Sequence, residues 1–214
     1  LNMYRAVIFD FDGTIIDTEQ HIFETVNRHL KEVGAEPIST EFYRQTIGGS
    51  DDILKDYLNQ VVGQEGTERI YQDVHESSTE LEIFPEIHAL MKQLKQRHIP
   101  MAIATSSYRH DIQPAFDQLG LEDYIEVIIG KEDVDEVKPS PELYLRAVQA
   151  LNYNPVNCLA IEDSTNGAEA ATLAGLDVIV QTNQMTSTHD FSSFNYVGKD
   201  MSADDITQHY FAKE

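Results

Sequence analysis

One stretch decides the fold: Ala6-Val7-Ile8-Phe9-Asp10-Phe11-Asp12-Gly13-Thr14, in which two carboxylates directly follow a short apolar run. The apolar run predicts a buried strand, and because strand side chains alternate with period two, Asp10 and Asp12 should project in the same direction. Gly13 allows the backbone to turn sharply just after them. The two carboxylates repel each other, and a hard divalent cation such as Mg²⁺, which prefers oxygen ligands, offsets that repulsion. The motif therefore predicts a metal site with one group placed to attack and another to move protons.

Short apolar runs recur along the chain and alternate with helical patterns. The runs are partly β-branched, as is typical of buried parallel strands, and they cover residues 7–9, 101–104, 125–129, 159–161 and 178–180. Apolar residues between them follow helical spacing at Ile87, Leu90, Met91 and Leu94, and again at Leu143, Ala147, Val148 and Leu151. This alternation predicts an α/β fold, a parallel sheet with helices on both faces. Beyond residue 180 the pattern is weaker, and Tyr196-Val197 is predicted as a short edge strand.

The alternation stops between residue 16 and about residue 81, where the pattern is helical throughout. One stripe runs through Ile22, Val26, Leu30 and Val33 and should end at Gly34. A second, capped by Ser50 or Asp51, includes Ile53, Leu54, Tyr57, Leu58 and Val61, and a third helix is predicted from about Thr67 to Glu80. We predict an all-helical cap of residues 17–81, inserted into a core of residues 1–16 and 82–214. Because sites in open α/β sheets lie beyond the carboxyl ends of the strands, the cap should sit over the site.

Composition narrows the class of partner. The chain has 214 residues and a formal net charge of -22, which argues against nucleic acid and membrane partners because both demand a basic face. No apolar run approaches the ~20 residues of a membrane helix. The single Cys158 excludes an internal disulfide and favours a reducing, cytoplasmic location. We expect a monomer that acts on a small molecule, with any phosphate site built locally from a metal, a lysine and backbone amides.

Polar residues follow the other predicted strands, where the carboxyl ends should share one rim of the sheet. Thr105-Ser106-Ser107 follows one strand, Lys138-Pro139 follows Glu136-Val137, and Glu162-Asp163-Ser164 follows another strand. Each group alone has a structural explanation, as a strand end, a surface lysine or a helix cap. Together, and converging on one rim, they indicate a functional site.

These motifs resemble the signatures of the haloacid dehalogenase-like hydrolase superfamily. That superfamily carries Asp-x-Asp-x-Thr, a Thr or Ser after a strand, a lysine before a helix and an acidic pair after a strand, matched here by residues 10–14, Thr105, Lys138 and Glu162-Asp163. The resemblance covers nearly the whole chain and implies a Rossmann-like core with a helical cap. It is closest to the β-phosphoglucomutase and phosphoglycolate phosphatase branch, through Asp17-Thr18-Glu19, Lys138-Pro139-Ser140-Pro141 and Ile161-Glu162-Asp163-Ser164.

The resemblance implies phosphoryl transfer through an aspartyl-phosphate. Asp10 would be the nucleophile, and Asp12 would protonate the leaving oxygen and then take a proton from water. Lys138 would hold the phosphate and favour the ionised form of Asp10. Thr105 and the backbone amide of Ser106 would bind phosphoryl oxygens, and Gly13 would give the phosphate close access to the backbone.

The resemblance also implies a Mg²⁺ site and a substrate-binding cap. The metal ligands would be Asp10, the backbone carbonyl of Asp12, Asp163, and Glu162 either directly or through water. Candidate substrate contacts are Thr18, Glu19, Arg44, the Gly48-Gly49-Ser50 turn and, from the core, Arg109. Both arginines could instead be solvated surface residues, and the paired glycines could be only a helix linker.

Two other functions compete with a phosphatase. A phosphosugar mutase usually has a histidine five residues after the Asp of the Asp-Thr pair, where this chain has Ile22, and often an arginine after the Gly-x-Ser of the cap, where it has Asp51. A phospho-receiver switch shares the acceptor Asp, a Thr or Ser and a Lys, but typically lacks both the carboxylate at the position of Asp12 and a helical cap. The sequence therefore favours the phosphatase.

Overall fold

A single parallel sheet organises the part of the chain that the computed structural model describes, residues 4–211. Its strands are β1 (Ala6–Phe9), β2 (Met101–Ala104), β3 (Ile125–Ile129), β4 (Cys158–Glu162), β5 (Asp177–Val180) and β6 (Gly198–Lys199). The order across the sheet is β3-β2-β1-β4-β5-β6. The five strands predicted between residues 7 and 180 are confirmed to within one residue at each end. Residues 1–3 and 212–214 of the predicted core lie outside the described residues.

Helices cover both faces of the sheet, as predicted, and they are α4 (Pro85–Gln96), α5 (Arg109–Gln118), α6 (Glu142–Ala150), α7 (Thr165–Leu173) and α8 (Ala203–Tyr210). The segment between β1 and α4 contains α1 (Thr18–Glu32), α2 (Thr40–Arg44) and α3 (Asp52–Ser77). Alternate residues of β1 face opposite layers: Val7 and Phe9 pack with α4, α5 and α8, whereas Ala6 and Ile8 pack with α6 and α7. The result is a Rossmann-like α/β fold.

The central position of β1 fixes the location of the site. β1 pairs in parallel with β2 and β4, and Phe9 lies in register with Ile103 and Ile161. Because all three strands run the same way, the residues that follow them meet at one rim. Asp10 therefore lies between the ends of its two neighbouring strands.

The segment between β1 and α4 is helical, as predicted, and has its own hydrophobic cluster. That cluster includes Val26, Leu30, Tyr43, Leu58 and Ile70. The two predicted helices beyond residue 50 form the arms of α3, which Gly63 interrupts with a non-helical backbone (φ 75°, ψ 168°).

Three stripe residues and the edge strand were predicted wrongly. Val33, Ile53 and Val61 are exposed (66%, 58% and 40%). Val33 follows the last residue of α1, and the buried face of α3 is narrower than the apolar pattern around Ile53 and Val61 suggests. The edge strand is Gly198–Lys199 rather than Tyr196-Val197, since the ladder with β5 starts at Ile179 and Gly198. None of the helices in residues 4–211 is both long and apolar enough to cross a membrane.

Candidate active site

Asp10 lies at the centre of the rim and is 4% exposed. Its Oδ1 accepts a hydrogen bond from Lys138 Nζ at 2.9 Å, and its Oδ2 accepts one from Thr14 Oγ1 at 3.2 Å. The backbone N–H of Asp10 donates to the carbonyl of Ile161 at the end of β4 (3.0 Å). Both carboxylate oxygens and the backbone are therefore held in place.

Asp12 has a different set of partners from Asp10. Its two carboxylate oxygens accept hydrogen bonds from Thr18 Oγ1 and Ser107 Oγ, both at 2.8 Å. Burial and the nearby charge of Asp10 raise the pKa of Asp12, and these effects outweigh the hydrogen bonds from Ser107 and Thr18, which lower it. Asp12 is thus the carboxylate of the motif that is better suited to carry a proton.

Lys138 is fully buried and uses three donors on three acceptors. Its Nζ lies 2.9 Å from Asp10 Oδ1, 2.6 Å from Glu162 Oε1 and 2.8 Å from the carbonyl oxygen of Ala104. Burial alone would lower the pKa of Lys138, but the charges of Asp10 and Glu162 outweigh it and raise that pKa above its usual value. The ammonium group is therefore a fixed positive charge beside Asp10.

Glu162 lies behind Lys138, with its side chain packed beneath α7. Its Oε1 also accepts a hydrogen bond from Tyr144 OH at 2.5 Å, whereas its buried Oε2 has no hydrogen-bond partner among residues 4–211. A Cβ at Gly167 would lie 1.9 Å from that Oε2, so only glycine fits there. Burial and the charge of Asp10 raise the pKa of Glu162 to about 7, despite the opposing effect of Lys138. The observed contacts make Glu162 the orienting partner of Lys138.

Asp163 is fully buried at the end of β4 and is held by neutral donors. Its Oδ1 lies 3.3 Å from Thr14 Oγ1, and its Oδ2 accepts a hydrogen bond from Asn183 Nδ2 at 2.8 Å. Burial, followed by the charges of Asp10, Glu19 and Glu162, raises the pKa of Asp163 well above its usual value.

Three buried carboxylates form a set that fits a metal ion. Asp10, Glu162 and Asp163 each offer an oxygen, and these atoms lie within 4.8 Å of one another. Oxygen donors of this charge suit a hard divalent cation such as Mg²⁺. Gly13 is required beside them, because its φ is +78° and a Cβ there would lie 2.3 Å from Asp163 Oδ2. The side chain of Asp12 is not in this set, since it is directed to Thr18 and Ser107.

Thr105 and Ser106 follow β2 as predicted. Thr105 is fully buried, and its Oγ1 accepts a hydrogen bond from the N–H of Ser107 at 3.1 Å. Ser106 Oγ donates to the carbonyl oxygen of Gly48 in the helical segment (3.1 Å). Ser106 thus joins the rim of the sheet to the segment above it.

A cavity of about 100 Å³ lies between the rim and the helical segment. Asp10 and Asp12 line it, as do the predicted contacts Thr18 and Ser106. Glu19 also lines it and accepts a hydrogen bond from Tyr43 OH at 2.6 Å; burial and the charge of Asp12 raise the pKa of Glu19 to about 8.

The two predicted arginine contacts do not line this cavity. Arg109 Nη1 is engaged by both oxygens of Asp133, at 2.7 and 2.5 Å. Arg44 Nε donates to the carbonyl oxygen of Met185 at 3.0 Å. Each guanidinium has a partner outside the cavity, and the structure does not bring either together with Asp10.

Sequence reasoning missed three residues that hold the central carboxylates. Asn183 Nδ2 bridges Asp163 and the carbonyl oxygen of Gly13 (2.8 Å each), and Asn183 follows the end of β5, so its place after a strand was a usable signal. Ser107 was noted only as part of a Thr-Ser-Ser run. Tyr144 lies on the buried face of α6, where an aromatic residue gives no signal of a polar role.

Comparison with known proteins places the chain in a family. A family model described as haloacid dehalogenase-like hydrolase matches residues 7–181. The Bacillus subtilis protein YhcW is 35% identical over 208 residues, covering 91% of this chain and 90% of that protein. A Thermotoga maritima protein named phosphorylated carbohydrates phosphatase is 31% identical over 181 residues, covering 82% of this chain and 83% of that protein.

A solved structure agrees with the sequence matches. CbbY from Rhodobacter sphaeroides, in complex with phosphate, aligns with a TM-score of 0.81 and 25% identity, covering 95% of this chain and 96% of that one. The family model spans β1 to the residue after β5 and so includes every strand end that contributes to the site. The chain therefore belongs to the haloacid dehalogenase-like hydrolase family.

Proposed function

We propose that the protein is a Mg²⁺-dependent phosphatase that hydrolyses a small phosphorylated metabolite through an aspartyl-phosphate on Asp10. One observation carries the proposal: two carboxylates of one motif have opposite surroundings, Asp10 beside the ammonium of Lys138 and Asp12 with a raised pKa. A carboxylate held against an ammonium group suits the role of nucleophile, and a carboxylate with a raised pKa suits the role of acid and base. Membership of the hydrolase family and the name of the Thermotoga relative support the same chemistry.

In the first half-reaction an oxygen of Asp10 forms a bond to phosphorus and the phosphorus–oxygen bond of the ester breaks. The leaving alkoxide takes its proton from Asp12, which becomes a carboxylate. In the second half-reaction Asp12 takes a proton from water as the water oxygen attacks phosphorus, and the bond to Asp10 breaks to release inorganic phosphate. Asp12 returns to its starting protonation state.

The remaining residues position and neutralise charge, which is most of the catalysis that phosphoryl transfer requires. Lys138 Nζ lies 2.9 Å from Asp10 Oδ1 and would bind the phosphoryl group as it moves to Asp10. Thr105 and the Ser106 amide would bind phosphoryl oxygens. Asp10, Asp163 and the backbone carbonyl of Asp12 would hold Mg²⁺, with Glu162 joining directly or through water. When bound, the ion offsets negative charge on the transferring phosphoryl group.

The geometry disfavours the mutase alternative. Ile22 lines the cavity at the place where mutases usually have a histidine, and Asp51 lines it in place of an arginine. His21, one position earlier, pairs with Ser77 Oγ at 2.7 Å. A non-catalytic phospho-receiver switch would need neither Asp12 as an acid and base nor the helical segment.

We propose in addition that residues 17–81 act as a cap that closes the cavity and excludes water during the reaction. Contacts to the core support this: Ser106 Oγ donates to the Gly48 carbonyl, and Asn166 Nδ2 donates to the Ile47 carbonyl (2.8 Å). Gly48 is pressed against the core, since a Cβ there would lie 2.1 Å from Ser164 Oγ. A monomeric state and a cytoplasmic location stay predictions.

The function is tested by phosphate release from a panel of phosphorylated sugars, phosphoglycolate and nucleotides, with and without Mg²⁺. We expect release that depends on Mg²⁺ and that falls at least about 10⁴-fold in Asp10→Asn, the scale of losing a covalent nucleophile. Circular dichroism checks that the variant is folded. Substantial turnover by folded Asp10→Asn would exclude the mechanism.

The cap is tested by a matched pair of glycine substitutions. Gly48 and Gly34 both have positive φ (+83° and +72°), but a Cβ at Gly34 meets nothing within 4 Å. Both alanine variants should lose about 1–2 kcal/mol of stability from the left-handed backbone. Only Gly48→Ala should also reduce kcat/KM, by about 10- to 100-fold, because it displaces the cap from the core. Equal activity of the two variants would contradict the proposed closure.

The metal site makes a prediction about pH. The raised pKa of Glu162 (about 7) and of Asp163 means that the folded, metal-free protein holds protons there that the unfolded chain releases at lower pH. Their stabilising contribution is complete below the ordinary carboxyl pKa and is lost as pH rises through the folded values. Metal-free Tm should therefore fall from roughly pH 5 to pH 8, and the increase in Tm caused by Mg²⁺ should be larger at pH 8.

Differential scanning fluorimetry measures both quantities. Asp163→Asn should abolish the increase in Tm that Mg²⁺ causes, whereas Asp190→Asn, at an exposed position away from the rim, should keep it. An increase in Tm that is independent of pH, or that persists in Asp163→Asn, would count against a metal site at these carboxylates.

A further inference from the structure

Tyr71 lines the cavity from α3 and has an unused hydroxyl group. That oxygen is buried and has no hydrogen-bond partner among residues 4–211. Burying a hydroxyl without a partner is unfavourable, so an unpaired group of this kind requires an explanation. The mechanism proposed above gives Tyr71 no role.

Five neighbouring hydroxyls in the same cavity have protein acceptors. Thr18 and Ser107 donate to Asp12, and Tyr43 donates to Glu19. Thr46 Oγ1 donates to the Tyr43 carbonyl at 2.7 Å, and Ser106 donates to the Gly48 carbonyl. The Tyr71 hydroxyl differs from each of them because it has no acceptor. A polar group of a molecule that enters the cavity can supply the missing hydrogen-bond partner.

Carboxylates outnumber the side chains that can be cationic in the cavity wall. Within residues 4–211 the wall has the carboxylates Asp10, Asp12, Glu19, Asp51 and Asp111, and it has Lys131 and His75. His75 Nδ1 lies 3.5 Å from Asp111 Oδ1, and Lys131 Nζ lies 3.8 Å from Asp51 Oδ1. No arginine lines the cavity in the part of the chain that the structure describes. A second anionic group on the substrate would meet this excess of carboxylates, and at short range in a partly buried site like charges repel strongly.

Apolar side chains complete the wall around Tyr71. They are Ile22, Leu54, Val74 and Ile112. Such a surface accommodates a carbon skeleton, while one polar group fixes its orientation.

We propose that this part of the cavity is the subsite for the leaving alcohol, that the alcohol is uncharged and carries at least one further hydroxyl, and that Tyr71 is the specificity-determining residue that hydrogen-bonds it. The proposal rests on the proposed phosphatase function, because the alcohol is the group released when the phosphoryl group moves to Asp10. It excludes bisphosphates and phosphorylated carboxylic acids as preferred substrates.

The role of Tyr71 is tested with Tyr71→Phe, which removes only the hydroxyl. For glycerol 1-phosphate and glucose 6-phosphate we expect kcat/KM to fall about 5- to 10-fold, the scale of one hydrogen bond. For p-nitrophenyl phosphate, whose leaving group has no further hydroxyl, kcat/KM should stay within about twofold of wild type. Tyr57→Phe, on the same helix, is the matched control and should change neither.

A purely structural role for Tyr71 would give a different result. In the free enzyme, Tyr71→Phe should leave Tm unchanged or higher, because the variant removes an unpaired buried hydroxyl. A lower Tm together with an equal loss on all three esters would overturn the proposal.

The requirement for an uncharged alcohol is tested with two esters of similar size. 2-Hydroxyethyl phosphate carries a hydroxyl at the position where phosphoglycolate carries a carboxylate. We expect kcat/KM to be at least about tenfold higher for 2-hydroxyethyl phosphate. Asp51→Asn, which removes one of the carboxylates that line the cavity, should increase kcat/KM for phosphoglycolate. Equal or better hydrolysis of phosphoglycolate by wild type would overturn the proposal.

The outcomes distinguish a failure of the phosphatase function from a failure of the Tyr71 subsite. If wild type releases phosphate from none of these esters, including p-nitrophenyl phosphate, the phosphatase function fails and the subsite fails with it. If wild type is active but Tyr71→Phe hydrolyses glycerol 1-phosphate and glucose 6-phosphate as well as wild type does, the subsite alone is overturned.

Discussion

The ion pairs of Lys138 with Asp10 and Glu162 are the constraint on which the rest of the structure depends. Asp10, Glu162 and Asp163 are buried together where the central strands end, and Lys138 offers one positive charge against them. Buried charges are costly unless they are paired, and removing one partner of a buried pair is strongly destabilising. Burial, and after it the excess of negative charge, raises the pKa values of Glu162 and Asp163. The same excess of negative charge makes the site receptive to a divalent cation.

The same arrangement gives the two carboxylates of the motif different chemistry. Asp10 is adjacent to Lys138, whereas Asp12 is turned toward Thr18 and Ser107 and has a raised pKa. Thr18 begins the helical segment, so the group that tunes Asp12 also starts the element that covers the cavity. In the proposed mechanism, Thr18 links the acid–base role of Asp12 to the exclusion of water by the helical segment.

Sequence alone predicted the parts of the molecule that follow from periodicity and from strand ends. The strands from β1 to β5 and the meeting of Asp10 with Asp163 follow directly from short apolar runs and from parallel pairing. Lys138 lies nine residues beyond the end of β3, so parallel pairing alone does not place it beside Asp10. The directions of individual side chains could not be predicted from the sequence. Arg109 forms an ion pair with Asp133, and Glu162 forms one with Lys138, because these opposite charges lie close together in the folded chain. Contacts between the helical segment and the core were also beyond reach, since they depend on how separate elements pack. The hydrogen bond from Asn166 to the carbonyl of Ile47 is one such contact. The lack of a hydrogen-bond partner for the Tyr71 hydroxyl depends on the same packing.

The central claim is that the phosphoryl group passes through Asp10, and trapping it there tests that claim most directly. The enzyme is mixed with p-nitrophenyl phosphate and Mg²⁺, quenched in acid during turnover, digested and analysed by peptide mass spectrometry. We predict a phosphoryl group on the peptide that contains Asp10, and none when Mg²⁺ is withheld. Phosphate release with the phosphoryl group on a different residue would contradict the account.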